Sequence, residues 1–290
     1  MVNKQFNQMF KQQARNNLLS FCVYTDKFFD IINIHEKMAQ TLERVISWEL
    51  KNVILELPPR SGKSRIMQEM IAYTLGKAPE KDILLTGHSA SLLESFSRNI
   101  RNRIQSDEYK QLFSTKLAEG NTAVKSWKTN GNGEFSIFGV GGGITGKGGN
   151  ILVIDDPYSG REDAESKTIR EKVYDWYKST FLSRKHNKDS AVIIIMQRWR
   201  EDDLVGKLLE ENPDKWEVVE FPAINEEGES FWPSKFPIEY LEEIKQDMGT
   251  YFFQSQYQQD PVSMGSGAFT DDMFEYYTPD ELEPIKEGLK

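Results

Sequence analysis

The chain carries a single cysteine, Cys22, in 290 residues. One thiol can form no intrachain disulfide and no cysteine-based metal site, so a reducing compartment is expected and the core must hold the fold. Histidine is scarce too. His35, His88 and His186 are scattered without metal spacing, and each reads as a core or surface histidine rather than a ligand. Positive charge is in deficit, with 36 Lys and Arg against 45 Asp and Glu and a formal net charge of -9. That excludes a protein that coats nucleic acid over its whole surface, so any such contact must be local or supplied by a partner. Long apolar runs are missing: AVIIIM, Ala191 to Met196, is far too short to span a membrane and suits a buried strand. The opening MVNKQFNQMFKQQARNN lacks the apolar stretch of a signal peptide.

What is present is a core-forming composition, 38% hydrophobic with seventeen Phe, eleven Tyr and six Trp. That is enough for one large domain with appendages. Helix-like spacing marks residues 3–19 and 35–50, the latter through Met38, Leu42, Val45 and Ile46. Strand-like runs follow at NVILEL (52–57), DILLTG (82–87), EFSIFGV (134–140), NILVIDDP, AVIIIMQR and WEVVEFP. Helical stretches are predicted between them, over 63–75, 89–105 and 164–182, with EDDLVGKLLEEN another. Nearly continuous apolar strands alternating with helices predict an α/β fold with a mainly parallel sheet covered on both faces.

Three segments carry the chemistry. ELPPRSGKS (Glu56 to Ser64) ends like a phosphate-binding loop, with Gly62 for close backbone approach, Lys63 for charge and Ser64 as a Mg²⁺-holding hydroxyl. Its first half departs from G-x-x-x-x-G-K-[ST], because Leu57 stands where the first glycine belongs. NILVIDDP closes a buried strand on Asp155 and Asp156, the layout in which one acid holds the metal shell and the next orients water. The plainer reading of that pair is a turn capped by Asp156. VIIIMQRWREDDL ends a strand on Gln197, whose amide can both donate to phosphate and accept from water. The acids Glu201, Asp202 and Asp203 read as the first turn of the next helix.

Taken in order, ILELPPRSGKS, GVGGGITGKGGNILVIDDPYSGREDAESKTIREKVYDWYKSTFLSR, MQRWREDDLVGKLL and YFFQSQYQQDP resemble the ATPase portion of the large terminase subunit of tailed bacteriophages. The resemblance covers roughly residues 35 to 262, and the family's loop commonly has Pro-Pro-Arg in place of the glycine-rich start. It implies a P-loop NTPase of the additional-strand, RecA-like type. The implied function is an ATP-hydrolysing motor that drives double-stranded DNA into a procapsid in the host cytoplasm. Its partners would be the portal and a small terminase subunit, in a homo-oligomeric ring that is monomeric when isolated, with no membrane. Carried over by position, Pro59, Arg60, Ser61, Gly62, Lys63 and Ser64 form the ATP phosphate site. Ser64 and Asp155 hold Mg²⁺, Asp156 orients water in place of the more usual Glu, and Gln197 takes the coupling position.

In GITGKGGN the family frequently has arginine where Lys147 stands, which makes Lys147 the first candidate for a finger acting on a neighbouring subunit, with Arg161 and Arg184 in reserve. Arg98, Arg101 and Arg103 along one helix, and Lys167, Arg170 and Lys172 along another, are weak DNA-contact candidates, since charged helix faces are usually just solvated. Tyr24, Phe28 and Phe29 are available to stack on the base. By this reading, residues 1–34 are an N-terminal helical segment. Residues 35–262 are the ATPase domain with a small lid-like helical end, and 263–290 are an acidic linker toward an absent nuclease domain, so no DNA cleavage is expected. Two rivals stand beside the motor: a superfamily-2 type helicase or translocase, and a nucleotide-binding scaffold without turnover.

Overall fold

A computed structural model describes residues 2–120 and 123–262. The expected linker 263–290 lies outside these. Its elements in chain order are α1 (Val2–Asn16), α2 (Leu18–Thr25), α3 (Asn33–Ile46), β1 (Asn52–Glu56), α4 (Lys63–Lys77), β2 (Ile83–Gly87), α5 (Ala90–Gln105) and α6 (Asp107–Leu112). They continue with β3 (Ser126–Lys128), β4 (Glu134–Gly139), β5 (Ile151–Asp155), α7 (Arg161–Glu165), α8 (Lys167–Trp176), β6 (Ala191–Met196), α9 (Leu204–Glu211), β7 (Glu217–Glu220), α10 (Ile238–Met248) and α11 (Thr250–Gln256).

The seven strands form one sheet in the order β3-β4-β2-β5-β6-β1-β7. All neighbours are parallel except the short β3, which runs antiparallel to β4. Strand β6 lies between β1 and β5, so an extra strand separates the one that feeds the phosphate loop from the one that ends in the twin aspartates. This is the additional-strand topology expected from the sequence.

Both faces of the sheet are covered, which is why β1, β2, β5 and β6 are unbroken apolar runs. Side chains alternate between the faces. Val53, Leu55, Ile83, Leu85, Ile193 and Ile195 pack under α3, α4 and α5. Ile54, Leu84, Leu152, Ile154, Val192 and Ile194 meet α8 and α9 on the other side. Helices α1 and α2 belong to the first of these cores through Ala14, Leu18, Phe21 and Cys22.

Two predicted helices are broken where a polar residue caps a new one. Asn17 ends α1 and accepts from the Ser20 N–H at the start of α2. Ser166 separates α7 from α8 and accepts from the Ile169 N–H, and α8 runs on through a π-helical turn, Tyr177–Phe181. The acids 201–203 precede α9 rather than forming its first turn; Asp203 is its cap, accepting from the Gly206 N–H. Among the described residues, no helix is long and apolar enough to cross a membrane.

Candidate active site

Parallel pairing brings the carboxyl ends of the strands to one edge. Register places Gly87, Asp155, Ile195 and Leu55 in a single row, with the phosphate loop, Asp156 and Gln197 just beyond it. That edge is where ligands of open α/β sheets bind.

The loop's unusual first half has a physical account. Leu57 continues β1 by donating its N–H to the Met196 carbonyl, and its side chain is fully buried. Pro58 and Pro59 then fix the backbone on the way out of the strand. Arg60 and Gly62 supply the left-handed turns, with φ of 60° and 84°. A side chain at Gly62 would be strained by that φ, and its Cβ would sit 3.3 Å from His35 Nε2. The His35 ring therefore backs the loop; it is buried, which pushes its pKa below the ordinary value, and it lies against Phe29 at 5.2 Å. Helix α4 starts at Lys63, directing its positive end into the loop.

The pairs predicted from sequence meet here. Ser64 Oγ donates to Asp155 Oδ2 at 2.9 Å. Lys63 Nζ lies 2.9 Å from Asp156 Oδ2 and donates to Gln197 Oε1 at 3.4 Å. Asp155 is 4% exposed; burial and then the charge of Asp156 push its carboxyl upward, with Lys63 and the Ser64 hydroxyl opposing. A buried acid held up in this way gains from a cation. Asp156 Oδ1 is also buried and has no hydrogen-bond partner among the described residues. A hydroxyl, a buried carboxylate and an oxygen lacking a partner are hard oxygen donors of the kind Mg²⁺ takes alongside a phosphate, so the residues fit such an ion.

Other candidates are placed differently. Arg60 is exposed at the loop and forms no ion pair with any described residue. Lys147 pairs with Glu134, which opens β4, at the end of the sheet opposite the twin aspartates. Arg184 donates to the Ile144 carbonyl at 2.9 Å, and Arg161 sits 4.1 Å over the Phe252 ring. Among the weak DNA candidates, Arg103 is tied to Glu69 and Asp26, and Arg170 is buried on Asp202 and the Ala164 carbonyl. Both are structural ties. Of the base-stacking candidates, Phe29 packs beside His35 and under the Arg65 guanidinium, Phe28 is exposed, and Tyr24 donates to Gln111.

A buried charge cluster joins the end of β1, which feeds the loop, to the segment that follows β6. Arg198 lies 3.1 Å from Glu56 and 3.0 Å from Asp203, and both acids are fully buried. Its backbone N–H donates to Gln259 Oε1. One guanidinium cannot neutralise two buried carboxylates. Burial, opposed by Arg198, accordingly pushes Glu56 up to about 8. This cluster escaped sequence reasoning, although Arg198 shortly precedes the acidic run that Asp203 ends.

The extra strand, the lysine-bearing loop and the paired acids define a P-loop NTPase of the RecA-like kind. The family model described as terminase large subunit, T4likevirus-type, N-terminal, matches residues 54–283, and the chain belongs to that family. The match runs past Pro261, where the sequence resemblance stops. Among solved structures, the ATPase domain of the Thermus phage P74-26 large terminase, in a point-mutant form, is similar at TM-score 0.55 and 12% identity. That likeness covers 81% of this chain and 95% of that one. The bacteriophage HK97 large terminase is similar at TM-score 0.57 and 10% identity, over 80% of this chain and 51% of that one. The chain thus spans about half the length of the HK97 protein. At such identities these likenesses speak to the fold. A search of curated proteins gives no match.

Proposed function

We propose that this chain is an ATPase whose turnover drives double-stranded DNA into a procapsid. The observation that carries the reading is the meeting of Lys63 and Ser64 with Asp155, Asp156 and Gln197 across three strand ends. The loop amides and the start of α4 bind the phosphates, and Lys63 turns from Asp156 toward the β- and γ-oxygens. Ser64 and Asp155 hold Mg²⁺, which neutralises charge on the transferring phosphoryl group when bound. Release of Lys63 frees Asp156, whose carboxylate then orients the attacking water and accepts its hydrogen. Gln197 accepts from Lys63, so it is placed to register the γ-phosphate and pass its loss to Arg198 and the strand behind it.

Arg60 is the exposed cation at the mouth of the site. Lys147 faces away from it and so serves a neighbouring subunit in a ring assembled with portal and small subunit. Lysine lacks the forked contact of arginine, and weak turnover by the isolated chain follows. Phosphate release from Mg·ATP tests the proposal. Wild type should turn over and Lys63→Ala should not; equal release by both would overturn it.

A further inference from the structure

Three successive residues at the end of β2 are fastened to the strand that bears the twin aspartates. Thr86 Oγ1 donates to the Val153 carbonyl at 3.0 Å. Gly87 lies so close to β5 that a Cβ on it would sit 2.6 Å from the Asp155 carbonyl oxygen. His88 then closes on Asp156 twice. Its backbone N–H donates to the Asp156 carbonyl at 3.2 Å, and its Nδ1 lies 2.9 Å from the same oxygen. A carbonyl oxygen only accepts, so Nδ1 carries the hydrogen and the ring is held as one tautomer.

What this double contact holds is an uncommon backbone. Asp156 has φ of 44°, in the left-handed region that costs a non-glycine residue of order 1 kcal/mol and persists only where surroundings impose it. The same turn sets the direction of its carboxylate, with Oδ2 on Lys63 and Oδ1 buried without a hydrogen-bond partner among the described residues. The Asp156 N–H is fixed from the other side by the Ile195 carbonyl at 3.0 Å. The peptide groups flanking Asp156 are therefore anchored to β6 through its N–H and to His88 through its C=O.

We propose that His88 is a positioning residue for hydrolysis: its Nδ1–H holds the Asp156 carbonyl, and through it the carboxylate, in the direction needed to orient water. The inference rests on the ATPase reading above. His88 touches Asp156 and not the phosphate loop, so its loss should spare nucleotide binding and slow the chemical step.

The test compares steady-state ATP hydrolysis by the full chain with three substitutions. His88→Ala should lower kcat about 10- to 100-fold, the usual cost of removing a group that orients another, with KM for ATP unchanged. His88→Asn places an amide N–H near the Nδ1 position and should restore most of the loss. His88→Gln places its amide nearer the Nε2 position and should not. Equal activity of all three, or a KM rise matching the kcat fall, overturns the proposal. Heteronuclear NMR of the wild-type imidazole gives a readout independent of turnover. An Nδ1–H tautomer is expected, and an Nε2–H tautomer overturns the contact. Wild type without turnover, with Lys63→Ala identical to it, would instead sink the ATPase reading while the tautomer still decides whether the clasp exists.

Discussion

Removing the Arg198 guanidinium should destabilise this protein markedly, although Arg198 lies outside the phosphate loop. In Arg198→Met the side chain keeps much of its volume, but Glu56 and Asp203, both fully buried, lose their shared cation. Asp203 retains N–H donors from Trp199, Arg200 and Gly206. Glu56 Oε1 loses its Arg198 donor, and Oε2 has no hydrogen-bond partner among the described residues even with Arg198 present. Breaking a buried pair from one side typically costs about 3–5 kcal/mol. The loss here should fall toward the lower figure, because Glu56, pushed up to about 8, already holds its proton for the most part at pH 7 and leaves little uncompensated charge. Urea unfolding at pH 7 measures it. Adding Glu56→Gln should recover at least about 1 kcal/mol, since the two residues share one network. If Arg198→Met unfolds within about 0.5 kcal/mol of wild type, or if the second substitution only adds to the loss, the cluster does not tie the end of β1 to the segment after β6.

Further outcomes follow from the same geometry. Glu56 holds a proton in the folded state that the unfolded chain has released, so its contribution to stability falls as pH rises from 4.5 to about 8. Glu56→Gln should flatten that part of a stability-against-pH curve, and an unchanged slope would contradict the assignment. Asp155→Asn removes a buried charge whose carboxyl is pushed upward, so the metal-free protein should be as stable as wild type or up to about 1 kcal/mol more so, while ATP turnover is lost. Calorimetry beside a phosphate assay checks both halves. Mixing inactive Asp156→Ala with inactive Lys147→Ala should restore some hydrolysis if Lys147 serves a neighbour's site; a mixture as dead as its parts, where wild type is active, removes that role.

The fold was legible where physics is local or periodic. Buried parallel strands show as continuous apolar runs, and Gly62-Lys63-Ser64 and Asp155-Asp156 sit at strand ends that a parallel sheet brings to one edge. The helix breaks at Asn17 and Ser166 were written in the sequence as capping residues inside otherwise periodic stretches, and periodicity outweighed them. Strand β3, three residues long, is too short to show any alternation. The remainder depends on long-range pairing. Glu56 and Arg198 are 142 positions apart, and His88 and Asp156 are 68 apart. Nothing near His88 marks it as the clasp of an acid on another strand, and Arg103 and Arg170 look like solvated helix charges until their partners are seen.

The central step is Lys63 exchanging its carboxylate for a phosphate. A crystal structure with a non-hydrolysable ATP analogue and Mg²⁺ tests that directly. Lys63 Nζ should lie on the terminal phosphate and away from Asp156, with Ser64 and Asp155 holding the metal. A nucleotide bound elsewhere, with the Lys63–Asp156 pair intact, would contradict it.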